Sequence, residues 1–185
     1  TMSEGKSIAE LMDTFYADGY DATTPGNHDW SYGADKLRTM TGSSTTSTPF
    51  AMLCANATSS NGVWSSSITK TLNRTWRDSE GHSTFAYQIK VGVVGAMDES
   101  LGSSLRADLV AGTSFSSAAN AINAEAELLR KEGCDVVVCI AHTLDAKTFA
   151  TRLRGVDALI AGHEHINLDE KVTGADGKTI HVVEA

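Results

Sequence analysis

Proline, cysteine and long apolar runs are scarce in this sequence. Of 185 residues, two are proline and three are cysteine. No stretch approaches the roughly 20 apolar residues that cross a bilayer, so no membrane span is expected in this chain. Lys and Arg form no cluster, and the formal net charge of −8 would repel a nucleic-acid backbone. Polymeric nucleic acid is therefore not expected as a partner.

The three cysteines, Cys54, Cys134 and Cys139, cannot all pair with one another. Two of them lie in or beside strongly apolar segments, so we predict buried thiols rather than a disulfide framework. The length and the apolar content of 41% predict a single domain with a sizeable core. A small anionic substrate remains open as a partner if a positive group, such as a metal ion, lies where its phosphate or carboxylate binds.

Helical and extended patterns alternate along the chain, which predicts a layered α/β domain. Helices are predicted before Gly19 and at 34–40, 116–132 and 146–153. Strands are predicted at 21–24, 50–57, 85–96 and 134–142, in the segment 156–165, and as a hairpin within 168–185. The Ser/Thr-rich run 41–49 predicts a surface loop. Residues 58–83 are polar and are interpreted only as an excursion from the sheet.

Three predicted strands end in polar groups of similar chemistry. In open α/β sheets, ligands bind at the carboxyl ends of the strands. Neutral imidazole nitrogens and an amide oxygen suit divalent zinc, manganese, cobalt or iron. The pattern therefore predicts a metal site, and the residues that fall at these strand ends are Asn27, His28, His142, His163 and His165.

Two local features support that prediction. Gly26 and Gly162 stand beside the polar groups, where we expect them to let the backbone turn sharply. In an extended conformation, His163 and His165 would point to one side of the chain and Glu164 elsewhere. One face of that segment is thus expected to serve two metal ions.

Five blocks of sequence, in order, resemble the calcineurin-like metallophosphoesterases, and within them the branch of 5′-nucleotidases and 2′,3′-cyclic-nucleotide phosphodiesterases. The blocks are "GNHDWSYG", "CANA", "VGVVGAMDE", "VVVCIAHTLD" and "LIAGHEHI". Any one block is weak, whereas all five in order are specific and extend over nearly the whole chain. The resemblance implies an α/β sheet sandwich flanked by helices and a metal-dependent hydrolase of nucleotides or other phosphate esters.

The resemblance also implies a role for each polar residue. Asn27, His142 and His163 would hold the second of two divalent ions, and His165 would belong to the first. His28 would lie beside the phosphate and give a proton to the leaving alkoxide, a task that suits a group titrating near neutral pH. The two ions would activate a water molecule for in-line attack.

One departure concerns the orientation of His28. Much of the branch has an acidic or amide residue three positions after this histidine, where the present chain has Ser31. Serine offers a hydrogen bond but no charge. We expect His28 to be less basic unless Asp29 takes over the orienting role, and Asp29 is also interpreted as a turn former or N-cap.

A larger departure concerns the Asp-x-His and Gly-Asp motifs that supply the first metal and the bridging carboxylate. The family has both before the "GNH" block, and neither occurs in this sequence. The chain, which has no methionine at position 1, is thus interpreted as a partial catalytic domain over residues 1–185. Its N-terminal part and the C-terminal nucleotidase domain are expected to be missing. Alone it is expected to bind one divalent ion weakly, or none.

Two classes of function stay open. The first is a phosphoester hydrolase, extracytoplasmic by resemblance only, of which this chain is the larger part of the catalytic domain. The second is a non-catalytic protein that keeps the fold for binding or scaffolding. The upstream sequence distinguishes them, whereas the specific substrate depends on loops and a domain outside the chain.

Several other residues are interpreted structurally. Asn56 begins an acceptor pattern for glycosylation, but we expect it to stabilise a loop at a strand end. Trp64 and Trp76 are interpreted as partial core, and Asp145 and Glu164 as surface charges.

Overall fold

A computed structural model describes residues 14, 17–40, 51–60 and 62–185. For residues 38–40, 62, 63, 76 and 83–86 it describes the backbone only. The predicted loop 41–49 lies outside the described residues. So does the predicted helix before Gly19, apart from residues 14 and 17, which are helical.

Short strands and helices precede a long mixed sheet. Within the described residues the chain forms, in order, β1 (Ala22–Thr23), a 3₁₀ helix (Asp29–Tyr32), α1 (Ala34–Met40), β2 (Ala51–Met52), β3 (Ala57–Ser59), β4 (Gly62–Val63), β5 (Ser67–Arg77), β6 (Ser83–Met97), α2 (Glu99–Ser104), β7 (Thr113–Phe115), α3 (Ala118–Lys131), β8 (Val136–His142), α4 (Ala146–Ala150), β9 (Ala158–Gly162), β10 (Leu168–Thr173) and β11 (Thr179–Glu184).

The main sheet has the strand order β10-β11-β9-β8-β6-β5. The four inner strands are parallel, and an antiparallel strand lies at each edge. The inner strands therefore end at one edge of the sheet. Strands β1 and β2 form a separate parallel pair, and β4, β3 and β7 form a third small sheet.

The main core lies between the sheet and α3. Every second residue of β8 is buried, as expected for a strand whose one face packs against a helix. From α3, Ile122, Ala126 and Leu129 pack on that face, and Ser117 caps the helix through its hydroxyl. A second cluster gathers around Trp30, whose ring contacts Trp64 and Phe115 with centroids 5.1 and 4.9 Å apart.

Most predicted elements are confirmed, among them α1, α3, β8, β9 and the final hairpin, so the layered α/β class is confirmed. The interpretation of residues 58–83 is wrong. They contain β5, an 11-residue strand paired with β6 along the sheet edge. Its sequence, SITKTLNRTWR, is too polar for the apolar pattern of an inner strand because an edge strand meets solvent. Helix α2 was also not predicted.

The apolar segment 50–57, the cysteines and the tryptophans differ in how they match their predictions. The strand expected at 50–57 is only two residues long, although Met52, Leu53 and Cys54 are buried as predicted. All three cysteines are free and buried, as predicted. Trp64 belongs to the core, being 2% exposed, and the side chain of Trp76 is not described. In the ranges that the structure describes, no helix is long and apolar enough to cross a membrane.

Candidate metal centre

Three strand ends bring an amide and two imidazoles together. His142 is the last residue of β8, His163 follows β9, and Asn27 lies in the loop after β1. The Nε2 atom of His142 lies 3.0 Å from Oδ1 of Asn27 and 3.0 Å from Nδ1 of His163. The two imidazole rings are nearly perpendicular, with centroids 4.9 Å apart. The predicted convergence of these three residues is thus present in the fold.

The loop that carries Asn27 is closed by its own hydrogen bonds. The Gly26 N–H donates to the Asp29 carboxylate at 2.7 Å, and the Asp29 N–H donates back to the Gly26 carbonyl at 3.0 Å. A Cβ atom at residue 26 would lie 2.9 Å from Cε1 of His142. Gly26 is therefore needed for close approach, not for the sharp backbone turn that we expected, since its φ is not positive.

The loop after β9 carries backbone strain at its histidines. His163 has φ 126° and His165 has φ 55°, whereas Gly162 has no positive φ. The expected extended conformation of residues 163–165 is therefore wrong. A residue other than glycine in these regions costs about 1–3 kcal/mol and persists where the surrounding structure fixes it. Such strain clusters at functional sites.

Burial and mutual repulsion keep His142 uncharged. Its pKa is lowered to about 4, first by burial and then by three neighbouring imidazoles, those of His163, His28 and His165. Four of the six histidines thus lie near one another. Because an imidazole binds a metal ion through a neutral nitrogen, the lowered pKa of His142 leaves it in the ligating form at neutral pH.

The donor atoms of Asn27, His142 and His163 fit a divalent cation. At most one proton can lie between Nε2 of His142 and each of its two neighbours, Oδ1 of Asn27 and Nδ1 of His163. The amide oxygen has only lone pairs and cannot donate a hydrogen bond. A divalent cation, by contrast, accepts a lone pair from each of the three atoms. Donor atoms about 3 Å apart are also close enough for one ion to bind them together, since nitrogen and oxygen ligands lie about 2.0–2.2 Å from zinc. Within the described part of the chain, no group of three or more His, Cys, Asp or Glu side chains is placed to hold a metal ion. The third donor here is an amide.

The other predicted site residues lie around this trio. His28 is exposed and starts the 3₁₀ helix, where its carbonyl accepts from the Ser31 N–H at 3.1 Å. Asp29 closes the loop through Gly26, as a turn former does. His165 is exposed, and its imidazole is one of those that lower the pKa of His142. The sequence predicted these residues at the edge of one sheet, and His142, His163 and His165 do follow strands of the main sheet. Asn27 and His28 instead follow β1, which pairs with β2 outside that sheet, so the prediction of a single sheet edge is wrong although Asn27 meets His142.

Three residues that support the site were not predicted from the sequence. The Asp98 N–H donates to the His142 carbonyl at 2.9 Å, and its carboxylate accepts from the Thr143 hydroxyl at 3.3 Å. The Thr143 N–H donates to the Gly162 carbonyl at 3.0 Å. The Glu184 carboxylate accepts from the Glu164 N–H at 2.7 Å. A signal existed for Asp98, which lies two residues after the end of the predicted strand 85–96, but none marked Glu184.

No protein-family model matches the chain. A curated relative does: the chain is 27% identical over 174 residues to the trifunctional nucleotide phosphoesterase protein YfkN of Bacillus subtilis (strain 168), an alignment that covers 87% of this chain and 11% of that protein. The chain therefore spans about a tenth of the length of this relative.

Solved structures share the fold. The crystal structure of the calcineurin-like phosphoesterase YfkN from Bacillus subtilis matches with a TM-score of 0.70 and 23% identity, over 97% of this chain and 57% of that one. A 5′-nucleotidase precursor from Thermus thermophilus matches with a TM-score of 0.71 and 18% identity, over 96% of this chain and 35% of that one. The resemblance inferred from the motifs is therefore confirmed, and the chain has the fold of the calcineurin-like phosphoesterases and 5′-nucleotidases.

Proposed function

We propose that the chain is the larger part of the catalytic domain of a metal-dependent phosphoester hydrolase that acts on nucleotides. The observation that carries this proposal is the convergence of Asn27, His142 and His163, with 3.0 Å between neighbouring donor atoms. The names of the relatives, a nucleotide phosphoesterase and a 5′-nucleotidase precursor, support the class of substrate. We extend the proposal to an extracytoplasmic location on the resemblance alone.

The proposed metal ligands belong to two neighbouring ion sites. Asn27, His142 and His163 hold one divalent ion, and His165, on the same loop as His163, belongs to the site of a second. When bound, such ions polarise the phosphoryl group and lower the pKa of a water molecule. Zn, Mn, Co or Fe suits nitrogen donors combined with an amide oxygen.

His28 is assigned the proton transfer. It adjoins Asn27, it is exposed, and its side chain makes no capping hydrogen bond in the 3₁₀ helix that it precedes. A free imidazole beside a phosphate stabilises developing charge and protonates the leaving alkoxide. Asp29 supports this role indirectly, because its carboxylate accepts the Gly26 N–H and so fixes the loop 26–29, which contains His28.

The parent protein is proposed to supply the remaining ligands. Asp-x-His and Gly-Asp motifs, absent from this sequence, would provide the first metal and the bridge. Determining the coding sequence immediately upstream of Thr1 tests this. Both motifs are expected there. Their absence would favour the non-catalytic binding or scaffold function instead.

Metal titration of the 185-residue chain tests the site itself. Co²⁺, added to millimolar concentration and followed by its absorbance, is expected to bind the wild type and to lose at least about tenfold in affinity in His142→Ala. His181→Ala is the matched control, because His181 is an exposed imidazole on β11 that contacts Asp169. Equal affinity in both variants would contradict the proposed site.

Hydrolysis is tested on the protein that includes its upstream sequence. Phosphate release from 5′-nucleoside monophosphates and 2′,3′-cyclic nucleotides is expected, and His28→Ala is expected to lower kcat by about 10² to 10⁴. The control is His82→Ala, since His82 is exposed beside the β5–β6 turn. An unchanged kcat in His28→Ala would refute the assigned proton transfer.

A further inference from the structure

Glu184 is a buried carboxylate at the end of the main sheet. It is the last residue of β11 and is 4% exposed. Its Oε1 atom accepts the Glu164 N–H at 2.7 Å. Among the described residues, its Oε2 atom has no hydrogen-bond partner. A buried carboxylate that is only half satisfied weakens a fold, so its presence calls for a reason other than stability.

The position of Glu184 connects two strand ends. Strands β9 and β11 are parallel neighbours, and Glu184 pairs with Ala161, one residue before the end of β9. The side chain therefore reaches the loop that starts where β9 stops. The N–H that it binds belongs to Glu164, which stands between His163 and His165.

That loop is strained on both sides of the hydrogen bond. His163 and His165 both have positive φ, at 126° and 55°. Backbone of this kind persists only where contacts fix it. The Glu164 N–H lies between the two strained residues. By accepting this N–H, the Glu184 carboxylate fixes the backbone that carries both imidazoles.

We propose that Glu184 is a positioning residue for the metal centre, which holds the loop 163–165 so that both imidazoles are presented to divalent ions. The inference rests on the proposed function, since the metal centre is part of it. Partners of this kind, outside the ligand set, typically change metal affinity by about 10- to 100-fold.

Glu184→Ala and Glu184→Gln test the proposal together. Glutamine keeps an oxygen for the Glu164 N–H, whereas alanine does not. Asn123→Ala is the matched control, because Asn123 is also buried and its side chain joins α3 to the Arg152 carbonyl and the Arg154 N–H, not to the histidine loop. It removes buried hydrogen bonds at another place.

Three measurements are made on each variant: hydrogen exchange of the Glu164 amide, the NMR signals of the His163 and His165 imidazoles, and Co²⁺ affinity. In Glu184→Ala we expect faster exchange, shifted imidazole signals and a loss of about tenfold or more in affinity. Glu184→Gln and Asn123→Ala are expected to keep the wild-type signals and affinity.

The outcomes separate this inference from the proposed function. Unchanged imidazole signals and unchanged exchange in Glu184→Ala would overturn the positioning role, whatever the chain binds. Equal losses in Glu184→Ala and Asn123→Ala would also overturn it, since both would then reflect general destabilisation. A third outcome is that the wild type binds no Co²⁺ while Glu184→Ala, alone among the variants, changes the imidazole signals. Glu184 would then still position the loop 163–165, and the metal-binding part of the proposed function would fail.

Discussion

The side chain of Asn56 forms a two-way hydrogen bond with the backbone of Met97. Its Nδ2 donates to the Met97 carbonyl at 2.8 Å, and its Oδ1 accepts from the Met97 N–H at 3.2 Å. Nδ2 also donates to the Ser116 carbonyl at 3.0 Å. Asn56, which is 1% exposed, thus joins the loop before β3 to the end of β6 and the start of α3. Its expected role at a strand end is confirmed.

Asn56→Ala is expected to lower the free energy of unfolding by about 2–3 kcal/mol, because backbone groups of Met97 and Ser116 would be buried without partners. Urea unfolding measures this. The matched control is Asn73→Ala, an exposed asparagine on β5 that bonds Gln88 and is expected to change stability by less than about 0.5 kcal/mol. Equal effects at the two sites would refute the role of Asn56.

Gly26→Ala is expected to weaken Co²⁺ binding with little strain in the backbone. The new Cβ would meet the His142 ring at 2.9 Å, so the ring must shift from the position in which its Nε2 lies 3.0 Å from Oδ1 of Asn27. Gly162→Ala is the control, since its Cβ would be 3.8 Å from Nδ1 of His142, an ordinary contact. Co²⁺ titration of both variants measures the difference. A Co²⁺ affinity of Gly26→Ala equal to that of the wild type would contradict the need for close approach at residue 26.

Cys54 and Cys139 are expected to resist thiol reagents in the folded chain. Burial raises the pKa of Cys54 to about 12 and also raises that of Cys139, and the thiolate is the reactive form. A colorimetric thiol assay near neutral pH should detect neither in the native state and all three cysteines after denaturation. Rapid native labelling of either residue would show that its burial is wrong.

Asp145 caps α4 and contributes stability that depends on pH. Hydrogen bonds from the Thr148 hydroxyl and N–H, 2.6 and 3.0 Å long, hold the pKa of Asp145 below its usual 3.8. A lowered carboxyl pKa stabilises the fold above the unfolded pKa, and this contribution is lost as the pH falls through the folded pKa.

Asp145→Ala is therefore expected to cost about 1 kcal/mol at neutral pH and less as the pH falls below 3.8. Urea unfolding at several pH values measures the difference. Asp145→Asn should keep most of the cap, because asparagine offers an oxygen and tolerates the φ of 37° at this residue. A cost for Asp145→Ala that is the same at every pH would count against an ionised cap.

The purified 185-residue chain is expected to release no more phosphate from nucleotides than a His142→Ala variant does. The chain lacks the Asp-x-His and Gly-Asp motifs, so the proposed site would be without some ligands of the first metal and without a bridging carboxylate. A phosphate assay with added Mn²⁺ measures the release. Release by the wild type well above that of the variant would show that the residues present suffice for catalysis.

Elements whose apolar or polar pattern is the usual one for their place in the fold were predicted from the sequence. Strand β8 was predicted because its run of Val, Cys, Ile and Ala suits a strand inside a sheet. Strand β5 was missed because its Thr, Lys, Asn and Arg residues suit an edge that meets water. Helix α2 was missed because its six residues, ESLGSS, are too few to show a helical period.

The candidate site was predicted in outline and not in detail. The positions of Asn27, His142 and His163 followed from where strands end. The strain did not, since glycine is the usual residue at positive φ, yet Gly162 is relaxed and His163 carries the unusual angle. The role of Glu184 was equally hidden, because an acidic residue near a strand end is ordinarily a solvated charge.

The three residues of the candidate metal centre are separated by very different lengths of chain. His142 and His163 are 21 residues apart, whereas Asn27 and His142 are 115 apart. Closing the longer loop costs about 1.5 kcal/mol more in chain entropy, from the logarithm of the ratio of the two separations. The two imidazoles therefore meet within the local unit β8–α4–β9 at the smaller entropic cost, whereas the amide reaches them only when the loop after β1 packs beside that unit.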